Sequence, residues 1–145
     1  MKSAHSDIRL FMRLEPDVPR LTHQNGVKPA VNSRTNKPLL HKTAELLNLE
    51  QKYLALLRPH APPKPWNCPI HLTTIWHFRT SQATCGWKTT RPDTDNLVKT
   101  LKDCLAKAGF YEDDALVCLE TIAKRWAPPE AKHGIEIRLH DLTNE

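Results

Sequence analysis

The stretch from Asp95 to Ala108 constrains this chain most. Leu97, Val98, Leu101, Cys104, Leu105 and Ala108 fall at i, i+1, i+4, i+7, i+8 and i+11. That spacing makes one apolar stripe along a helix and no strand face. Gly109 follows directly, at the position where a left-handed residue ends a helix. A helix with a single apolar stripe has to cover an apolar surface, and the flanking sequence supplies one. Ile8, Leu10, Met12 and Leu14 alternate with Arg9, Phe11 and Arg13, which predicts a strand with one buried face. Ile70, Leu72, Trp76 and Phe78 share a strand face opposite His71, Thr73, His77 and Arg79. The apolar run Ala115–Trp126 reads as a central strand, and Ile135, Ile137 and Leu139 alternate with Glu136, Arg138 and His140 in a last one.

A second helix is predicted over residues 43–58, where Leu46, Leu47, Tyr53, Leu54 and Leu57 form the stripe and Pro59 stands just beyond. The stretch APPKP at 61–65 is a stiff connector. The predicted order is βαβαββ: one α+β domain over residues 1–145, with two helices packed on a mixed sheet. Two segments read as loops. Residues 19–42 carry Arg20, Lys28, Arg34, Lys37 and Lys42 with no acid, and residues 80–91 carry Lys88 and Arg91 around Trp87. A polar loop as long as the first either binds something or is disordered, and both readings stand.

The formal charge of +5 and the sequence pI of about 9.1 suit a polyanionic partner and equally an ordinary soluble protein. Cys68, Cys85, Cys104 and Cys118 contain no C-x-x-C pair and match no zinc spacing, so they read as free thiols in a reducing cytoplasm. Cys104 and Cys118 fall on core-facing positions of the predicted helix and strand. The eight histidines include no H-E-x-x-H pair, and His71 and His77 lie about 20 Å apart along a strand. No run has the length of a membrane span, and the first residues do not resemble a signal peptide.

The chemistry concentrates in residues 91–117. Asp93 and Asp95 sit just before and at the first turn of the helix, where acids cap and stabilise. Capping accounts for one aspartate better than for two. Lys99 lies four residues past Asp95 on the same polar face, either as a surface ion pair worth about 0.3–0.5 kcal/mol or as a cation serving a site. Asp113 and Asp114 stand at the entrance to a strand, where they are either solvated or ligands of a hard cation such as Mg²⁺, which takes carboxylate oxygens, waters and phosphate. Asp103 is about 12 Å from Asp95 by helical rise and is read as a surface charge. The helix itself is roughly 20 Å long. Asp114 therefore meets Asp93 and Asp95 only if the chain folds back sharply or if the acids converge across a subunit interface.

The string Asp93-Thr94-Asp95-Asn96, Lys99, Ala108-Gly109-Phe110 and Asp113-Asp114 resembles, interval by interval, the RusA family of Holliday-junction resolvases of bacteria, phages and prophages. The match covers residues 91 to about 126. The resemblance implies a homodimeric endodeoxyribonuclease dependent on Mg²⁺ or Mn²⁺ that nicks opposed strands of a four-way DNA junction in recombination and repair. It implies Asp93, Asp95 and Asp114 as metal ligands, with Lys99 and Asp113 as supporting site residues. One departure concerns the segment after the first strand, where only Lys28-Pro29-Ala30-Val31-Asn32 faintly resembles the family's proline pair and asparagine. Arg20, Lys28, Arg34, Lys37, Lys88 and Arg91 are candidate contacts to DNA phosphates, and Trp87 is either a stacking platform for an exposed base or an ordinary tryptophan. A flap or replication-fork nuclease of phage origin and a non-cutting binder of branched DNA are the competing readings.

Overall fold

The patterned segments form the elements they predict. A computed structural model describes residues 3–14, 18–19, 26–80 and 86–145. Strand β1 (Ile8–Arg13), helix α1 (Ala44–Leu57), strand β4 (Ile70–Arg79), helix α2 (Thr94–Lys107), strand β6 (Val117–Ala127) and strand β7 (Gly134–Asp141) realise the expected βαβαββ order. The five-stranded sheet runs β1-β7-β4-β6-β5, with β5 a two-residue strand at Gly86–Trp87. β4 and β6 pair in parallel and the other neighbours are antiparallel, so the sheet is mixed. A parallel pair needs a long crossover, and α2 provides it.

One face of the sheet is buried. Ile70, Leu72, Trp76 and Phe78 of β4 join Ile135, Ile137 and Leu139 of β7, Met12 of β1, Leu49, Tyr53 and Leu57 of α1, and Leu97, Leu101, Cys104 and Leu105 of α2 in one apolar cluster. The alternating side chains His71, Thr73, Ile75 and His77 of β4, with Glu136 and Arg138 of β7, lie on the less buried face. Burying a Leu, Ile or Phe side chain contributes about 1.5–3 kcal/mol, so this cluster fixes the register of every strand that feeds it.

Two expectations are corrected. Residues 19–42 are not one loop: β2 (Val27–Val31) and β3 (Pro38–Lys42) form an antiparallel hairpin. Its turn is built from asparagines. Asn32 Oδ1 accepts the Arg34 and Thr35 amides, the Asn36 amide bonds Asn32 O at 2.7 Å, and Asn36 takes φ 54°. Asparagine tolerates that left-handed conformation and makes such local bonds. Pro29 and Pro38 hide the strand signal, because proline demotes a segment except at a sheet edge, and a two-stranded ribbon is all edge. Residues 20–25, including Arg20, lie outside the described ones.

The second correction concerns β6. Ile70 pairs with Val117 but His71 pairs with Leu119, so Cys118 is an extra residue in the ladder. A bulge of this kind turns side chains off the regular alternation. Cys118 is exposed, Leu119 is half-exposed, and only Cys104 of the two expected core thiols is buried. Among the described residues, no helix is long and apolar enough to cross a membrane.

Candidate active site

Helix α2 begins at Asp93, its N-cap residue, with extended φ −72° and ψ 150°. Asp93 O accepts the Leu97 amide at 3.1 Å, but its carboxylate makes no capping hydrogen bond. Capping therefore does not account for this side chain. One turn on, Asp95 and Lys99 face a cleft between α2 and β6 of about 390 Å³. Asp114 and Glu120 close it from the β6 side, and Lys102 adds a second ammonium.

Asp114 reaches this cleft because the chain folds back after α2. The Phe110 amide bonds Leu105 O, and the Tyr111 hydroxyl donates to Lys102 O at 2.7 Å. Trp66 clamps the same turn from outside: its amide donates to Phe110 O and its carbonyl accepts the Glu112 amide. Asp113 then caps the 3-10 turn Asp114–Leu116, its Oδ1 accepting the Ala115 amide at 2.9 Å. Asp113 thus orients its neighbour and does not line the cleft.

The cleft is crowded with carboxylates. Desolvation pushes the Asp114 carboxyl above the ordinary value. Its hydrogen bond with Asp113 and the charges of Asp103 and Asp113 push the same way, against Lys102. Glu120 stands 3.6 Å from Lys102 Nζ through Oε1, while Oε2 is buried with no hydrogen-bond partner among the described residues. A buried acceptor normally finds a donor, and one left without is suited to a cation or a water. Asp95, Asp114 and Glu120 line the cleft with carboxylate oxygens, the ligand type a hard divalent ion takes, beside the ammonium groups of Lys99 and Lys102, but the three do not converge within 4.8 Å of one another.

The fit has a limit within one chain. Among the described residues, the only trio with all its candidate ligand atoms within 4.8 Å of one another is His5, Cys68 and Asp141. Asp93, Asp95 and Asp114 do not converge that closely. Within the His5 trio, the Asp141 carboxylate already has hydrogen-bond partners without an ion. Asp141 accepts the amides of His5 and Thr143 at 2.8 Å each, and the Thr143 hydroxyl. Burial alone would raise its carboxyl, but these bonds and one from Cys68 hold it down at about 2. Burial, with the Asp141 charge, pushes the Cys68 thiol up to about 11.

The sequence profile of the family described as endodeoxyribonuclease RusA matches residues 22–140. The chain belongs to the RusA family. Among curated relatives, the crossover junction endodeoxyribonuclease rusA of Lactococcus phage r1t is 37% identical over 79 residues, covering 52% of this chain and 57% of that protein. The chain thus aligns with little more than half of that relative's length.

The basic residues of this RusA-family chain divide by environment. Lys28, Arg34 and Lys37 are exposed on the β2–β3 hairpin, and Arg91 is exposed two residues before Asp93. Lys88, expected at a phosphate, is instead buried, with Nζ 4.4 Å from the Trp126 ring centroid and 5.2 Å from that of Phe78. It also hydrogen-bonds the Thr90 hydroxyl. Its ammonium is spent on cation–π contacts and holds β5 to the sheet. Trp87 is exposed and stacks on Arg125 at 4.5 Å. Sequence reasoning missed Lys102 and Glu120. Lys102 was findable at i+3 from Lys99. Glu120 was not, because its place depends on the β6 bulge.

Proposed function

We propose that this chain is a divalent-metal-dependent endodeoxyribonuclease that resolves four-way DNA junctions, with Mg²⁺ as the ion and Mn²⁺ able to replace it. The observation that carries the reading is the α2–β6 cleft, where Asp95, Lys99 and Asp114 of the family string share one wall-to-wall space. Family membership and the activity for which the phage relative is named support it. Asp95 and Asp114 would hold the ion together with Asp93, whose carboxylate makes no capping hydrogen bond at the head of α2. A bound divalent ion supplies a nucleophilic water at neutral pH and stabilises charge on the departing oxygen. Lys99 and Lys102 offset the carboxylate charge that would otherwise repel a DNA strand, and each can hold a phosphate oxygen. Asp113 keeps Asp114 turned toward the cleft through its cap on Ala115.

Phosphate contacts outside the cleft fall to Arg91 and to Lys28, Arg34 and Lys37 on the hairpin. They position the duplex arms without reading sequence. The working form is a homodimer, since two-fold symmetry places two sites on two strands, and a partner chain would supply the convergence that one chain lacks. Such a dimer would make paired nicks, in keeping with a role in recombination and repair.

The test is cleavage of a synthetic four-way junction, a flap and a linear duplex, with and without Mg²⁺, by the natural chain and by Asp93→Asn. The expected result is metal-dependent cutting of the junction, with cutting lost and junction binding kept in Asp93→Asn. Preferential cutting of the flap would redirect the substrate assignment. Binding without cutting under any metal would leave a branched-DNA binder. Mixing Asp93→Asn with Asp114→Asn chains tests the shared site, and a mixture that regains no activity argues against it.

A further inference from the structure

Asp93 bears a carboxylate that makes no capping hydrogen bond, yet its backbone is held on both sides. On the helix side its carbonyl accepts the Leu97 amide. On the other side stands Lys124 of β6. Its Nζ donates to Thr90 O and to Pro92 O, each at 2.8 Å. Its own carbonyl accepts the Lys88 amide at 3.0 Å. One residue of a sheet strand therefore fastens positions 88, 90 and 92 of the segment that leads from β5 into α2. Lys124 pairs with Trp76 of β4, so this clamp is rooted in the ladder next to the buried core.

We infer that Lys124 is the positioning residue for Asp93, and through it for the divalent ion. This rests on the metal-dependent reading of the α2–β6 cleft. The peptide unit is planar, so a hydrogen bond to Pro92 O fixes the plane that contains the Asp93 nitrogen and Cα. With the Asp93 carbonyl fixed by Leu97, only the side-chain torsions of Asp93 stay free. Bonds from an ammonium to carbonyls are charge-assisted, and about twice as strong as neutral ones. Lys124 needs no contact with ion or DNA to matter. It delivers a ligand on a rigid stem, the role that outer partners of metal ligands play when they orient the ligating group.

The test is Mn²⁺ titration of the DNA-free protein, followed by the electron paramagnetic resonance signal of the free ion. The chains compared are the natural one, Lys124→Met, Lys124→Arg and Asp93→Asn. Removing an outer partner typically weakens metal binding about 10- to 100-fold, so Lys124→Met is expected to bind Mn²⁺ at least tenfold more weakly. Lys124→Arg keeps two donors for the two carbonyls and is expected to recover most of that loss. Melting of both variants should stay cooperative and within a few degrees of the natural chain.

Asp93→Asn separates the two levels of the claim. If it weakens binding while Lys124→Met does not, the Lys124 inference is overturned and the cleft reading stands. If Asp93→Asn leaves binding unchanged, Asp93 is no ligand and the Lys124 inference is overturned with it, while a cleft that binds no Mn²⁺ in the natural chain overturns the metal-dependent reading itself. Equal losses in the Met and Arg variants, or a collapsed melting transition in both, would mean a general structural role and would also overturn the inference.

Discussion

Replacing Asp141 by Asn perturbs the one trio in the described chain that imitates a metal centre. The Asp141 carboxyl is held at about 2 against an ordinary 3.8, chiefly because hydrogen bonds from Thr143 and His5 outweigh its burial. At about 1.36 kcal/mol per pKa unit, that difference is worth about 2 kcal/mol of stability at neutral pH. The folded value lies below the unfolded one. The contribution is therefore complete above about pH 4, and is lost as the pH falls through the folded value near 2. It should stand at roughly half its full size by pH 3. Asn retains an acceptor oxygen but no charge, so it mimics the protonated state. Guanidinium unfolding of both chains at one protein concentration should show Asp141→Asn less stable by about 2 kcal/mol at pH 7, with the gap closing in acid. The stability of both should be indifferent to EDTA. A gap under about 0.5 kcal/mol at pH 7, or EDTA destabilising the natural chain but not the variant, would refute the reasoning.

Gly134→Ala should destabilise the fold by about 3 kcal/mol or more, since an added Cβ would lie 2.1 Å from Met12 O where the backbone has φ +154°. Near-natural unfolding of that variant would mean that the β1–β7 pairing at this end is loose. His140 is raised above its ordinary value, first by the hydrogen bond to Asp7 and then by that to Glu145. Its contribution is present below about pH 6.5 and lost as pH rises through the folded value. NMR titration should show a lower His140 pKa in Asp7→Asn, and an unchanged one would remove the pairing. Lys88→Met should leave the salt dependence of junction binding unaltered, while Arg34→Ala with Lys37→Ala should flatten the log–log slope by about 1–2. A flattened slope for Lys88→Met would return that lysine to the DNA surface.

Among the described residues, hydrophobic period made five of the nine strands and helices legible, because each of those five buries one face and the 2- and 3.6-residue repeats record which, while β6 was legible only as an apolar run. It missed β2 and β3, whose prolines and asparagine turn carry no alternation, and β5, which is two residues long. The aspartates were legible as a spaced string, but their meeting was not. Helical rise alone separates Asp95 from Asp114. The return is made by the Tyr111 hydroxyl on Lys102 and by Trp66 at the turn, bonds between residues nine and more apart that no local pattern encodes. The Lys124 clamp spans over thirty residues and is invisible for the same reason. Lys88 shows the converse error, in which a lysine among exposed loop residues is taken for a surface charge although aromatic faces bury it.

Anomalous diffraction from crystals grown with Mn²⁺ locates the ion itself. A manganese peak is expected in the cleft between α2 and β6, within coordination distance of the Asp95 or Asp114 carboxylate. A sole peak at His5, Cys68 and Asp141, or a cleft that stays without manganese while the protein cuts junctions, would contradict the metal-dependent reading of that cleft.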